Sequence, residues 1–152
     1  MKPSRQTEFT IVIEQTPGQL AGLLEAAAAA NVEIHAVSVN EHQDRGLIRL
    51  VGSPVEALRR LLEQIAETGA GTFVENPILQ VNAEGRPSAL REIAARLAQA
   101  RVNIRHVYMA PRVNGTPQSL LIAVDDVDRA LAEVEALAYP PAEEPQPSER
   151  RG

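Results

Sequence analysis

The sequence has no cysteine and no tryptophan among its 152 residues, and only two phenylalanines and two tyrosines. Without cysteine there is no disulfide framework, no thiolate zinc site and no cysteine nucleophile, which fits a reducing compartment. With so few aromatics, the 44% of hydrophobic residues must build an aliphatic core. No apolar run approaches the ~18 residues of a membrane span. The opening MKPSRQTEF lacks the apolar stretch of a signal peptide. Basic residues are nearly all arginine and scattered, under a net charge of −5, so there is no electrostatic footprint for nucleic acid or anionic membranes. These absences predict a soluble, cytoplasmic protein with no nucleic-acid or membrane partner.

Catalytic patterns are missing too. His35, His42 and His106 have no metal-ligand spacing with one another or with carboxylates, so no metal site is expected. Asp125 and Asp126 are better explained by a helix N-cap than by paired acid–base chemistry. No serine lies in a nucleophile elbow, and no GxGxxG or Walker sequence is present, so neither an enzyme nor a cofactor is expected.

What the chain does have is repetition. TPGQLAGLLEAAAAANVEIHAVSV (16–39) aligns without gaps on RPSALREIAARLAQARVNIRHVYM (86–109), seventy residues later. Pro17 matches Pro87, Leu20 matches Leu90, Ile34 matches Ile104 and Val37 matches Val107. Downstream, a three-residue insertion in the second copy sets Val51 on Val124 and Leu58 on Leu131. Each copy reads strand, helix, strand, strand, helix. FTIVIE alternates as a half-buried strand, and Leu20, Leu23, Leu24 and Ala27 recur at helical spacing. VEIHAVSV and LIRLV flank a polar turn, Ser53 and Pro54 open a second helix, and TFVE is a fourth strand. ILQVN begins the second copy, which lacks a clear final strand.

The expected architecture is α+β: two tandem ferredoxin-like βαββαβ units, with antiparallel sheets and helices on one face. Residues 1–7 are read as an N-terminal extension, 8–76 and 77–138 as the repeats, and 139–152 as a disordered proline-rich tail. An incomplete second unit should leave its first strand at a sheet edge, which predicts a homodimer or a tightly fused pair of repeats. The RNA-recognition module shares the βαββαβ order, but its stacking aromatics are missing here.

Thr16 is read as the N-cap of the first helix, with Pro17 at its first position. Gly18 would admit a group close to its backbone. The next amides lack intrahelical acceptors and would suit a carboxylate. Pro-Gly-x-Leu opening helix 1, with NVEI or VNI opening strand 2, resembles the ACT domain. The tandem arrangement is similar to stand-alone amino-acid-binding proteins made of two ACT units, over roughly residues 8 to 138. The resemblance implies a non-enzymatic regulatory module whose small-molecule ligand, usually an amino acid, sits where the strand 1–helix 1 loop of one unit meets the start of strand 2 of a neighbour.

Carried onto this chain, the first site comprises Gln15, Thr16, Pro17, Gly18, Gln19 and Leu20 with Asn31, Val32, Glu33 and Ile34. The second comprises Gly85, Arg86, Pro87, Ser88, Ala89 and Leu90 with Asn103 and Ile104. Tyr108 either presents its hydroxyl to a ligand or is a core-edge tyrosine. Two departures stand out. Gln15 and Thr16 occupy positions where the family often has Asp or Asn, and Ser88 replaces Gly18 in the second copy. The alternative reading is a ligand-free interaction module that assembles with an enzyme or transcription regulator.

Overall fold

The structure is a computed structural model and describes residues 2–113 and 115–137. The expected tail, 139–152, lies outside the described residues. The first repeat contains β1 (Ser4–Glu14), α1 (Gln19–Ala29), β2 (Glu33–His42), β3 (Arg45–Ser53) and α2 (Val55–Glu67). It passes through β4 (Gly71–Asn82) into α3 (Ala89–Gln99), β5 (Ile104–Ala110), β6 (Ser119–Val124) and α4 (Val127–Glu135). The strands form one antiparallel sheet in the order β2-β3-β1-β4-β6-β5. The α+β, ferredoxin-like organisation is as expected, with two helices on one face of each half.

Alternation decides the faces. Phe9, Ile11 and Ile13 of β1 and Ile48 and Leu50 of β3 point to α1 and α2, where they meet Leu23, Ala27, Leu58 and Leu62. Leu79 and Val81 of β4 and Leu120 and Ile122 of β6 face α3 and α4 in the same way, against Ile93, Leu97, Ala130 and Val134. Each phenylalanine, isoleucine, leucine or valine among them contributes about 1.5–3 kcal/mol of burial relative to exposure. A third cluster joins the halves through their helix-free faces: Ala36 and Val51 meet Ile78, Ala110, Leu121 and Ala123. The sheet therefore curls until β2 and β5, at its two ends, come into contact.

Three details differ from the sequence expectation. First, β1 begins at Ser4 rather than at Phe9, and its early residues Ser4–Thr7 pair with Gln80–Pro77 of β4. They supply the fourth strand that the second repeat lacks, so its first strand is not at an edge. Second, TFVE and ILQVN, expected as two strands lying nearly end to end across the joined sheets, are one continuous strand. The first half of β4 closes the first repeat and its second half opens the second, pairing with β6 from Leu79 onward. Pro77 pairs with Thr7 at the centre of this ribbon, before β6 begins, so its missing N–H interrupts no β6 bond.

Third, the insertion is two residues rather than three. Ala36 pairs with Val51, and His106, its equivalent, pairs with Ala123. Val51 therefore corresponds to Ala123, and Leu58 to Ala130. Aliphatic helix patterns tolerate a one-residue slip in alignment; a sheet register does not, because it would turn every side chain to the other face.

Candidate functional site

The loop before α1 is shaped by Gly18, which adopts φ +90° at the N-cap position. The helix starts at Gln19, two residues later than the Thr16 and Pro17 cap predicts. Thr16 instead braces the turn: its carbonyl accepts the Gln19 amide at 3.4 Å, and its hydroxyl accepts the Gln19 side-chain amide at 3.0 Å. A left-handed N-cap without a side-chain bond is a glycine solution, since a Cβ is disfavoured at that φ. Leu20 and Ala21 lie in the first turn, where amides have no intrahelical acceptor, at the positive end of the helix dipole.

Beside this turn, a crevice of about 350 Å³ opens between α1 and α2, floored by Ile11 and Ile13 and walled by Gly18, Gly22, Ala26, Leu61 and Ile65. Small residues keep it open. In the second repeat, Glu92 and Arg96 stand where Gly22 and Ala26 stand in the first. Arg96 reaches Glu133 of α4 at 2.6 Å, bridging the two helices. The repeats share a backbone plan and differ in whether the space between the helices is filled.

The second loop turns at Gly85, φ +69°. Ser88 is the N-cap of α3 and makes no side-chain cap bond; Ala89 is buried beneath it. Gly85, Arg86, Pro87, Ala89 and Leu90 border a hollow of about 460 Å³ that also touches Met109.

Both strand-2 starts leave their helices through a residue in the left-handed region, Asn31 at φ 56° and Arg101 at φ 58°. The next amides close the turn: Val32 donates to the Ala27 carbonyl and Val102 to the Leu97 carbonyl, both at 2.9 Å, and both valines are buried. Asn31, Val32, Glu33 and Ile34 thus sit at the far end of α1 from Gln15–Leu20, about 16 Å along an eleven-residue helix. Within one repeat the structure does not bring the two segments together, and neither hollow includes the strand-2 start of the other repeat. Asn103 is clamped by Asp125, whose carboxylate accepts its amide at 3.0 Å, while Ile104 packs against the second core. Asp126 caps α4 as expected, accepting the Arg129 amide at 3.1 Å. Ser53 does not cap α2; its hydroxyl meets His35 Nε2 at 2.7 Å.

Sequence reasoning missed Glu8. It lies one residue past the Thr7–Pro77 centre of the ribbon and is only 2% exposed. Its donors come from the other repeat: His106 Nε2 at 2.9 Å and the Tyr108 hydroxyl at 2.8 Å. A buried carboxylate is costly without such donors, so this triad ties the halves together. Burial and the adjacent Glu8 charge push the Tyr108 phenol well above its ordinary range. The Tyr108 hydroxyl is thus spent inside the protein. The available signal was Glu8 itself, an acid one residue before an alternating apolar strand; its partners are 98 and 100 residues away.

Among the described residues no helix is long and apolar enough to cross a membrane, and no group of three or more acidic, histidine or cysteine side chains is placed to hold a metal ion.

Solved structures share this architecture. Protein BT0572 from Bacteroides thetaiotaomicron is 18% identical over 89% of this chain and 90% of its own, with a TM-score of 0.72. The regulatory subunit of aspartate kinase from Thermus thermophilus, in a ligand-free form, is 14% identical over 89% and 95%, with a TM-score of 0.62. The corresponding subunit from Thermus flavus is 16% identical over 89% and 95%, with a TM-score of 0.58. No family model matches the sequence, and no curated protein sequence does. These likenesses are of fold: the same α+β arrangement of four helices on an antiparallel sheet that the repeated motif predicts.

Proposed function

We propose that this protein is a non-enzymatic, cytoplasmic regulator that senses an amino acid and works as a homodimer. The observation that carries the reading is the Gly18 turn, which presents the first amides of α1 beside an open apolar crevice. The ligand's carboxylate lies against those amides and its side chain enters the crevice between α1 and α2. The start of strand 2 that completes an ACT-type site comes from a second copy, because within one chain it lies at the opposite end of the helix. The likeness to the aspartate kinase regulatory subunits supports a regulatory rather than a catalytic role.

Edge chemistry supports the dimer. β2 and β5 end the sheet, and each carries two exposed apolar residues on its helix-bearing side: Val37 and Val39, Val107 and Met109. Edge strands that expose apolar side chains are templates for pairing. The same edges also favour the second reading, a ligand-free assembly module.

Thermal shift and calorimetry against the twenty amino acids separate the two readings. A saturable rise in melting temperature is expected with one amino acid or a small group of them. No response to any would overturn the sensor reading in favour of the assembly module. Gly22→Glu, which brings in the residue of the second repeat, locates the site. A Cβ at Gly22 meets nothing within 4 Å, so the fold should persist while affinity falls about ten-fold or more. Unchanged affinity in that variant would remove the crevice from the site.

A further inference from the structure

The helix-free faces of the two repeats do not close completely. At the end of the β2–β3 hairpin they leave a cavity of about 350 Å³, lined by Ser38, Asn40, Glu41, His42, Leu47 and Arg49 of the first repeat and His106, Val107 and Tyr108 of the second. Arg49 is its principal charge. The equivalent position in the second repeat is Leu121, a buried core residue. An arginine has been placed where the symmetric fold accepts a leucine.

That arginine is incompletely satisfied. One terminal nitrogen donates to Asn40 Oδ1 at 3.1 Å, while the Nε–H is buried and has no partner. No carboxylate among the described residues forms an ion pair with it. The nearby acid, Glu8, is already committed to His106 and Tyr108. A buried N–H without an acceptor is costly and calls for an explanation. Glu41 is the acidic side chain of the lining and is exposed; His42 and His106 are the other titratable groups there.

From this geometry we propose that the cavity between the repeats binds a small organic carboxylate, with Arg49 as its anchor. Once the side chain turns its buried Nε–H toward the cavity, a planar carboxylate can take that group and a terminal N–H of the same guanidinium side by side, which a lysine or a histidine cannot match. The cavity volume suits a small metabolite. Its walls belong to both repeats, so an occupant touches each half and is sensitive to their relative angle, as a ligand must be to shift an equilibrium between two arrangements. This site is separate from the α1 turn and stands or falls independently of it.

Nuclear magnetic resonance titration of the full chain tests the proposal, with acetate, succinate and citrate as probes and inorganic phosphate in a parallel arm. Saturable shifts are expected at the Arg49 Nε–H and at the Val107 and Tyr108 amides, with those of Leu20 and Gly22 unmoved. Arg49→Leu should abolish the response while keeping a cooperative melt, since the paired repeat already holds leucine there. Arg49→Lys should weaken it about ten-fold or more by losing the fork. Saturation by phosphate without any carboxylate response would overturn the carboxylate assignment. The absence of any saturable shift at Arg49, or an undiminished response in a folded Arg49→Leu, would overturn the site. Gly22→Glu should leave these titrations unchanged, which keeps them distinct from binding at α1.

Discussion

At the scale of single residues, Gly18 and Tyr108 show how backbone and burial set what a substitution reports. Gly18 has open space around it but a left-handed φ, so its constraint is conformational rather than steric. Gly18→Ala is expected to cost about 1–2 kcal/mol in a denaturant titration although the new methyl touches nothing. That strain makes Gly22, in an ordinary helical conformation, the cleaner place to probe ligand access. The Tyr108 phenol is pushed above its ordinary range by burial first, and then by the second negative charge that ionising it would set beside Glu8. The unfolded phenol ionises near pH 10, so above that pH the unfolded chain holds fewer protons than the native one. Stability must then fall as pH rises. An ultraviolet absorbance titration should show Tyr108 resisting ionisation until alkaline unfolding, and Tyr108→Phe should remove that late step. Ionisation of Tyr108 near its ordinary range, in protein still folded, would count against the buried Glu8 contact.

At the scale of elements, local patterns identified each helix and most strand segments, because Leu20, Leu23 and Ala27 declare a helix face and Phe9, Ile11 and Ile13 a strand face within a few residues. The αL exits at Asn31 and Arg101 also explain why helix and strand follow each other so abruptly in both copies. Pairing across the repeats was not legible. Residues 4–7 carry no apolar alternation, and only their register against Pro77–Gln80 makes them a strand. The candidate loops at 15–20 and 85–90 were legible from Pro17 and Pro87, whereas the Arg49 cavity was not, since its lining converges from strands of both repeats. Removing residues 1–7 should expose the Leu79 edge of β4, lower the melting temperature and speed amide exchange at Ile78 and Leu79. Unchanged protection there would show that β1 contributes little to the second repeat.

At the scale of the whole molecule, the two apolar edges are where the proposed homodimer is tested. Val39 is 51% exposed and Met109 48% exposed, so charging either should spare the fold of one chain. Val39→Arg and Met109→Arg mark the two edges separately. In light scattering, the edge that forms the dimer should give a monomeric mass when charged, while the other variant keeps the mass of the parent. A parent that is monomeric across micromolar concentrations would remove the homodimer.

The strand exchange between β1 and β4 also bears on how the chain reaches its native state. Ser4–Thr7 find their partners only after some seventy further residues have been made, and those partners in turn await β6. The first half of β4 closes the first repeat before α3, β5 and β6 are made, whereas the second repeat needs both those later elements and the N-terminal Ser4–Thr7. Closing such distant contacts is entropically slow, and it binds both halves into one kinetic event. Stopped-flow refolding should therefore show a single cooperative main phase, with both cores forming together.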